Sequence, residues 1–175
     1  MTTTAAGIST ATVSTDQLAP LGFELVVPAA SGADSDAGNG PQTWIYVYND
    51  EASTAFAVGQ CIYRDPSATT QDWYGGLITP VTVHQPKVMV LGFAQHTIAA
   101  GSYGFILKQG VGFVKCGSAT VGPDLPFTTG GDDTGCVLTY ADDASSLSAN
   151  IGVIGFAATI LVADAATVNA YVNCG

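Results

Sequence analysis

The residues best suited to chemistry are few, and their spacing decides against most of it. Asp34-Ser35-Asp36-Ala37-Gly38-Asn39-Gly40 sets oxygen ligands at alternate positions before a glycine, as calcium loops do. Asn39 comes one place late for the EF-hand pattern and no bidentate Glu follows, so the stretch reads as a solvated turn. Asp132-Asp133 and Asp142-Asp143 offer paired carboxylates, the raw material of acid–base work or cation binding. Neighbours on a strand point to opposite faces, and both pairs sit in loop-like sequence, so both read as surface turns. His84 and His96 are isolated, and no Gly-x-Ser-x-Gly elbow supplies a nucleophile beside either. Gly110-Val111-Gly112 lacks the third glycine of a dinucleotide loop. Cys61, Cys116, Cys136 and Cys174 form no Cys-x-x-Cys pair. The expectation is no catalytic residue, no metal and no cofactor. The first ten residues have neither the basic region nor the apolar run of a secretion signal. The cysteines are therefore expected to be buried thiols made in a reducing cytoplasm, with a disulfide formed later in a released particle as the other reading.

The remaining handle is aromatic. Trp73-Tyr74 lies in the stretch 64–76 (RDPSATTQDWYGG), which reads as a long loop. Such a pair can anchor a partner, stack on a sugar, or fold back as a lid over the domain.

The elements that must position these residues are strands. Residues 43–48 (TWIYVY) are β-branched and aromatic, and alternation puts Trp44, Tyr46 and Tyr48 on one face, with Ile45 and Val47 on the other. Residues 23–27, 59–63, 77–84, 87–91, 103–107, 111–115, 137–140, 152–162 and 167–172 read as further strands, with 108–110 (KQG) as a turn. They recur every 8–12 residues between Gly, Pro or Asp punctuation, and no long segment carries a 3.6-residue apolar stripe. The fold class is all-β, a compact barrel or sandwich over 21–175. Residues 1–20 begin with a Thr/Ala/Ser tract. They read as a flexible tail, or as an extended arm that lies on a neighbouring subunit through Thr2, Thr3, Thr4 and Ile8.

Charge narrows the function classes. Of 175 residues only 10% are charged, 14 acidic against 4 basic, while 47% are hydrophobic. An average globular chain carries about 25% charge. Disorder is excluded by the apolar content, and four cations cannot neutralise enough phosphates to bind nucleic acid or an anionic membrane. The longest apolar run, 151–163, is too short to span a bilayer. A surface with so few charges must be covered by neutral polar groups or by neighbours in an assembly.

One internal similarity carries a resemblance. Residues 90–101 (VLGFAQHTIAAG) and 153–164 (VIGFAATILVAD) share an apolar strand ending in Gly-Phe-Ala, then a turn, and each precedes an aromatic strand. Gly92 and Gly155 would permit close backbone approach. With the Gly turn at 109–110 and the Val121-Gly122-Pro123-Asp124-Leu125 step, this order over residues 55–175 resembles small capsid decoration (cement) proteins of tailed bacteriophages. The resemblance implies a compact β fold, a trimer or similar cluster on the outer head surface, the major capsid protein as partner, and no enzymatic activity. It supplies no site residues. The expected function is a structural virion protein that stabilises the capsid lattice, with Trp73, Tyr74 and the N-terminal arm as candidate contacts. The alternative is a receptor- or carbohydrate-binding β domain of a tail or adhesin, using Trp73 or Tyr74 and calcium at Asp34 and Asp36.

Overall fold

The computed structural model describes residues 4–5, 8–28, 40–65, 67, 73–80, 85–117, 124–130, 134–140, 152–157 and 167–175. Its strands are β1 (Thr4–Ala5), β2 (Ile8–Ser9), β3 (Glu24–Val27), β4 (Gln42–Asn49), β5 (Cys61–Arg64) and β6 (Gly75–Ile78). They continue as β7 (Val90–Phe93), β8 (Tyr103–Lys115), β9 (Pro126–Thr129), β10 (Val137–Thr139), β11 (Gly155–Ala157) and β12 (Thr167–Asn173). The chain is all-β, and its centre is a closed five-strand barrel in the order β4-β8-β7-β5-β6. Every pairing in the barrel is antiparallel except the one that closes it, where Tyr48 and Asn49 of β4 run parallel to Gly75 and Gly76 of β6.

The alternation in β4 sorts its side chains between two cores. Ile45 and Val47 point into the barrel with Ile62, Ile78, Leu91 and Ile106. Phe56, Ala94 and Ile98 join them from the connecting segments, and Phe56 and Ile98 exchange backbone hydrogen bonds of 2.9 and 3.1 Å. Trp44 and Tyr46 point outward, into a second core with Phe93, Phe105 and Leu107. That core is covered by a sheet of β8, β12, β11, β9 and β10, which contributes Val114, Ala170, Val172, Phe127 and Val137. Phe93 and Phe127 meet edge to face at 6.2 Å across the boundary. The sheet curls until Cys116, just past β8, makes a parallel bridge to Val137 of β10.

Two local expectations are corrected. Residues 108–110 form no turn: β8 runs unbroken for 13 residues. Its first half pairs with β4 and its second with β12, and Gln109 faces Thr43 on one side and Asn173 on the other. Gly110 (φ +120°) allows this handover, because a Cβ there would lie 2.9 Å from the Pro41 carbonyl. Residues 87–91 are likewise not one strand. Lys87–Met89 is a 3-10 turn after Pro86, and β7 begins only at Val90.

The two Gly-Phe-Ala segments share one geometry. Each opens an antiparallel pair, β7 with β8 and β11 with β12. A Cβ on Gly92 would lie 2.4 Å from the Leu107 carbonyl oxygen, and one on Gly155 would lie 2.4 Å from that of Tyr171. The pairs differ at the phenylalanine after each glycine: Phe93 is buried, whereas Phe156 is half exposed.

Candidate functional site

The end of the barrel at β5 and β6 gathers the most unusual exposed chemistry. β5 ends at Arg64, and Trp73 and Tyr74 lead directly into β6. Arg64 pairs in register with Gly76, which brings its side chain back under the loop. Its Nη1 donates to the Trp73 carbonyl at 2.7 Å. The guanidinium lies 5.8 Å from the Trp73 ring centroid and 4.9 Å from that of Tyr74, within cation–π range of both.

The two aromatics have different tasks. Tyr74 packs on the barrel core and against Gly22, where a Cβ would fall 2.3 Å from its ring. The Tyr74 carbonyl accepts from Tyr48 N–H at 3.1 Å. Tyr74 is thus the foot of the loop. Trp73 is 72% exposed, with its backbone carbonyl bonded by Arg64 and its indole open to solvent.

Carboxylates border the same end. Asp65 N–H donates to the Gly75 carbonyl at 3.0 Å, and the Asp65 carboxylate accepts from the amide and hydroxyl of Ser67, both at 2.7 Å. Glu51 accepts from Ile78 N–H at 2.8 Å. Partial burial first, and then the adjacent Asp65 carboxylate, raise the Asp50 pKa above the ordinary value. Tyr63 is raised too, by burial and then by Asp65 and Glu51. Among the described residues, no group of three or more His, Cys, Asp or Glu is placed to hold a metal ion. What the geometry offers is a recognition surface: a large aromatic plane on a fixed base, one cation, and acceptors at the rim.

The other expected residues fall elsewhere. Thr2, Thr3, Asp34, Asp36, Asn39, His84, Asp132, Asp133, Asp142 and Asp143 lie outside the described residues. Thr4 belongs to β1, which pairs with β2. Ile8 packs, half buried, on the outer core and not on the barrel interior that receives Tyr74. The segment after it runs along its own barrel: Ser14 bridges Tyr103, and Leu18 N–H donates to the Tyr46 hydroxyl at 3.1 Å. His96 is partly buried near Gly104, and burial lowers its pKa. All four cysteines are buried, and burial pushes the Cys174 thiol up to about 12.

Nothing in the sequence singles out Arg64 beyond its place at the mouth of the same loop, since register and not spacing brings it under Trp73. The fold and this site define an all-β protein with a closed five-strand barrel, a curled flanking sheet, and an exposed tryptophan beside an arginine at one barrel end. No protein-family model matches the chain, and neither a curated protein nor a solved structure matches it.

Proposed function

We propose that this chain is a structural virion protein that docks on the outer surface of an icosahedral phage head and stabilises its lattice as a trimer, with the major capsid protein as partner. The observation that carries the reading is Trp73, an indole exposed at 72% whose backbone carbonyl is bonded by Arg64 and whose ring lies 5.8 Å from the same guanidinium. An anchor whose backbone is tied down before binding has less to order on docking, and Trp is among the residues most enriched at interface hot spots. A clamp of this kind bridges shell subunits, so rupture must break several contacts at once.

The test is addition of the purified chain to shells that lack it. Saturable binding and a raised rupture temperature are expected, and W73A should weaken binding by roughly 30-fold or more, the effect of a hot-spot residue worth about 2 kcal/mol. Absence of binding would sink the reading. An exposed indole beside a guanidinium also suits the apolar face of a sugar ring. Glycan-array signal that disappears in W73A would favour that second reading.

A further inference from the structure

The flanking sheet turns one face to the core and the other to solvent, and the outer face has a composition of its own. Phe156 lies directly opposite Tyr171, Tyr171 opposite Val111, and Phe156 opposite Pro126. These residues form one row across β9, β11, β12 and β8, with cross-strand partners about 4.5–5.5 Å apart. Phe156 is 49% exposed, Tyr171 40%, and Phe113, further along β8, 43%. Their strand neighbours Ala157, Ala170, Val172 and Val114 are all buried. The row is therefore a solvent-facing aromatic ridge on a sheet whose inner face is already fully used.

Charge marks this ridge out. None of β8 to β12 contains an Asp or a Glu, in a chain with 14 of them. The described carboxylates lie on β3, around the far barrel end and on turns, the nearest in sequence being Asp124 just before β9. Two copies at −10 each repel at range, and strands that carry no carboxylate add least to that repulsion at contact. The polar groups flanking the ridge fit the same conclusion. Gln109, whose amide donates to the Tyr171 hydroxyl at 3.2 Å, and the nearby Asn169 and Asn173 each carry both donors and acceptors. Around a symmetry axis like residues meet like, and an amide can pair with its own copy where a carboxylate or ammonium cannot. An apolar centre rimmed by hydrogen-bonding groups, here amides with the Lys115 ammonium at the end of β8 on the same face, is the anatomy of a subunit interface.

We infer that this ridge is the self-association face of the chain, and that its occupant is the same ridge of a second copy. The inference rests on the proposed reading only in its oligomeric part. Trp73, on the loop at the barrel end, is left free for another partner.

Light scattering on the purified full chain tests it without any shell. The wild type should be oligomeric at micromolar concentration. F156E and Y171E should each raise the dissociation constant by 100-fold or more, while W73A keeps the wild-type mass. Circular dichroism checks the fold of each variant, and F156T, which keeps a good strand former, replaces any glutamate variant that fails to fold. Raising salt should preserve or strengthen association, because it screens repulsion between acidic copies and breaks no ion pair at the ridge. A wild type that stays monomeric into the hundreds of micromolar, or ridge variants that keep the oligomer mass, would overturn the inference. A dimer that the ridge variants dissociate would support it while removing the trimer from the functional reading. Failure to bind shells would leave it standing.

Discussion

Replacing Gly155 with alanine tests the reason the Gly-Phe-Ala unit occurs twice. Gly155 sits in β11 between β9 and β12, and its added Cβ would lie 2.3 Å from the Phe127 ring and 2.4 Å from the Tyr171 carbonyl oxygen. Carbon atoms in ordinary contact are about 3.5 Å or more apart, so roughly 1 Å of separation is missing on two sides at once. Neither obstacle can yield cheaply. Phe127 is fully buried against Phe93, and the carbonyl belongs to the sheet backbone. Overpacking of this kind costs about 1–3 kcal/mol, and two rigid neighbours place G155A near 3. In a domain of this size that lowers the melting temperature by roughly 6–12 °C. G92A should behave alike, because its Cβ would stand 2.4 Å from the Leu107 carbonyl oxygen. The control is G40A: Gly40 has φ +66° and nothing within 4 Å, so only the left-handed backbone penalty of about 1 kcal/mol applies. Thermal and urea melts of the three variants compare them directly. If G155A and G92A lose no more than G40A, close approach is not why these positions are glycine.

Other perturbations test the same packing. F93A should cost about 3–5 kcal/mol in urea melts, because it empties a fully buried site at the junction of barrel and sheet. N49D should fold poorly or not at all: the buried Asn49 amide donates to the Thr54 and Ile98 carbonyls at 3.0 and 2.9 Å, and a carboxylate would face both without a proton. Solubility and circular dichroism read that outcome. Asp50, with its pKa raised, favours the folded state fully only below the ordinary carboxylate value of 3.8, and this contribution is lost as pH climbs through the raised folded value. D50N should therefore melt higher than wild type at pH 7, with the difference shrinking toward pH 3. His96, with its pKa lowered, contributes above its ordinary 6.5 and loses that contribution as pH falls toward the folded value, so H96Q should flatten the stability profile between pH 7 and 5.

The strand pattern was legible wherever one residue in two is buried. β4 is the clearest case, since its alternation named both faces, and the structure sends Trp44 and Tyr46 to one core and Ile45 and Val47 to another. Legibility failed where glycine does something other than turn the chain. Lys108-Gln109-Gly110 has turn composition, yet Gly110 serves a strand passing between two sheets, a role set by Pro41 and Gln42 some seventy positions away. The barrel closure was equally hidden, because a parallel contact of β4 with β6 leaves no local mark. Trp73 and Tyr74 stood out by type, but their unequal exposure depends on Gly22 and Arg64, which only the folded register brings to the loop. The outer ridge left a trace that spacing alone could not interpret: Phe93 and Phe156 hold the same place in their repeats, yet the first is buried and the second half exposed.

The low charge of the chain has a structural counterpart in how backbone groups are satisfied. Beside the Lys108–Glu24 ion pair and the carboxylates at the barrel end, much of this work falls to amides. Asn49 ties β4 to two loops, and Gln60 accepts from Ala57 N–H at 2.8 Å. Gln42 bonds the Val111 carbonyl at 2.7 Å and accepts from the Trp44 indole at 3.2 Å, fastening the barrel to the flanking sheet. Gln95 does most: its amide accepts from Phe113 N–H at 2.7 Å and donates to the Phe113 carbonyl at 3.0 Å, so one side chain replaces a neighbouring strand where β8 leaves the barrel. Gly112 is required beside it, since a Cβ there would lie 2.7 Å from the Gln95 amide oxygen. Neutral amides fill these positions without the desolvation penalty of a buried charge. None of β8 to β12 carries an acid, and among the described residues the outer face of that sheet is aromatic and amide-rich, with Lys115 at its end. A chain at −10 repels its own copies least across such a face, so the same economy of charge that shapes the interior also favours the surface inferred above for self-association.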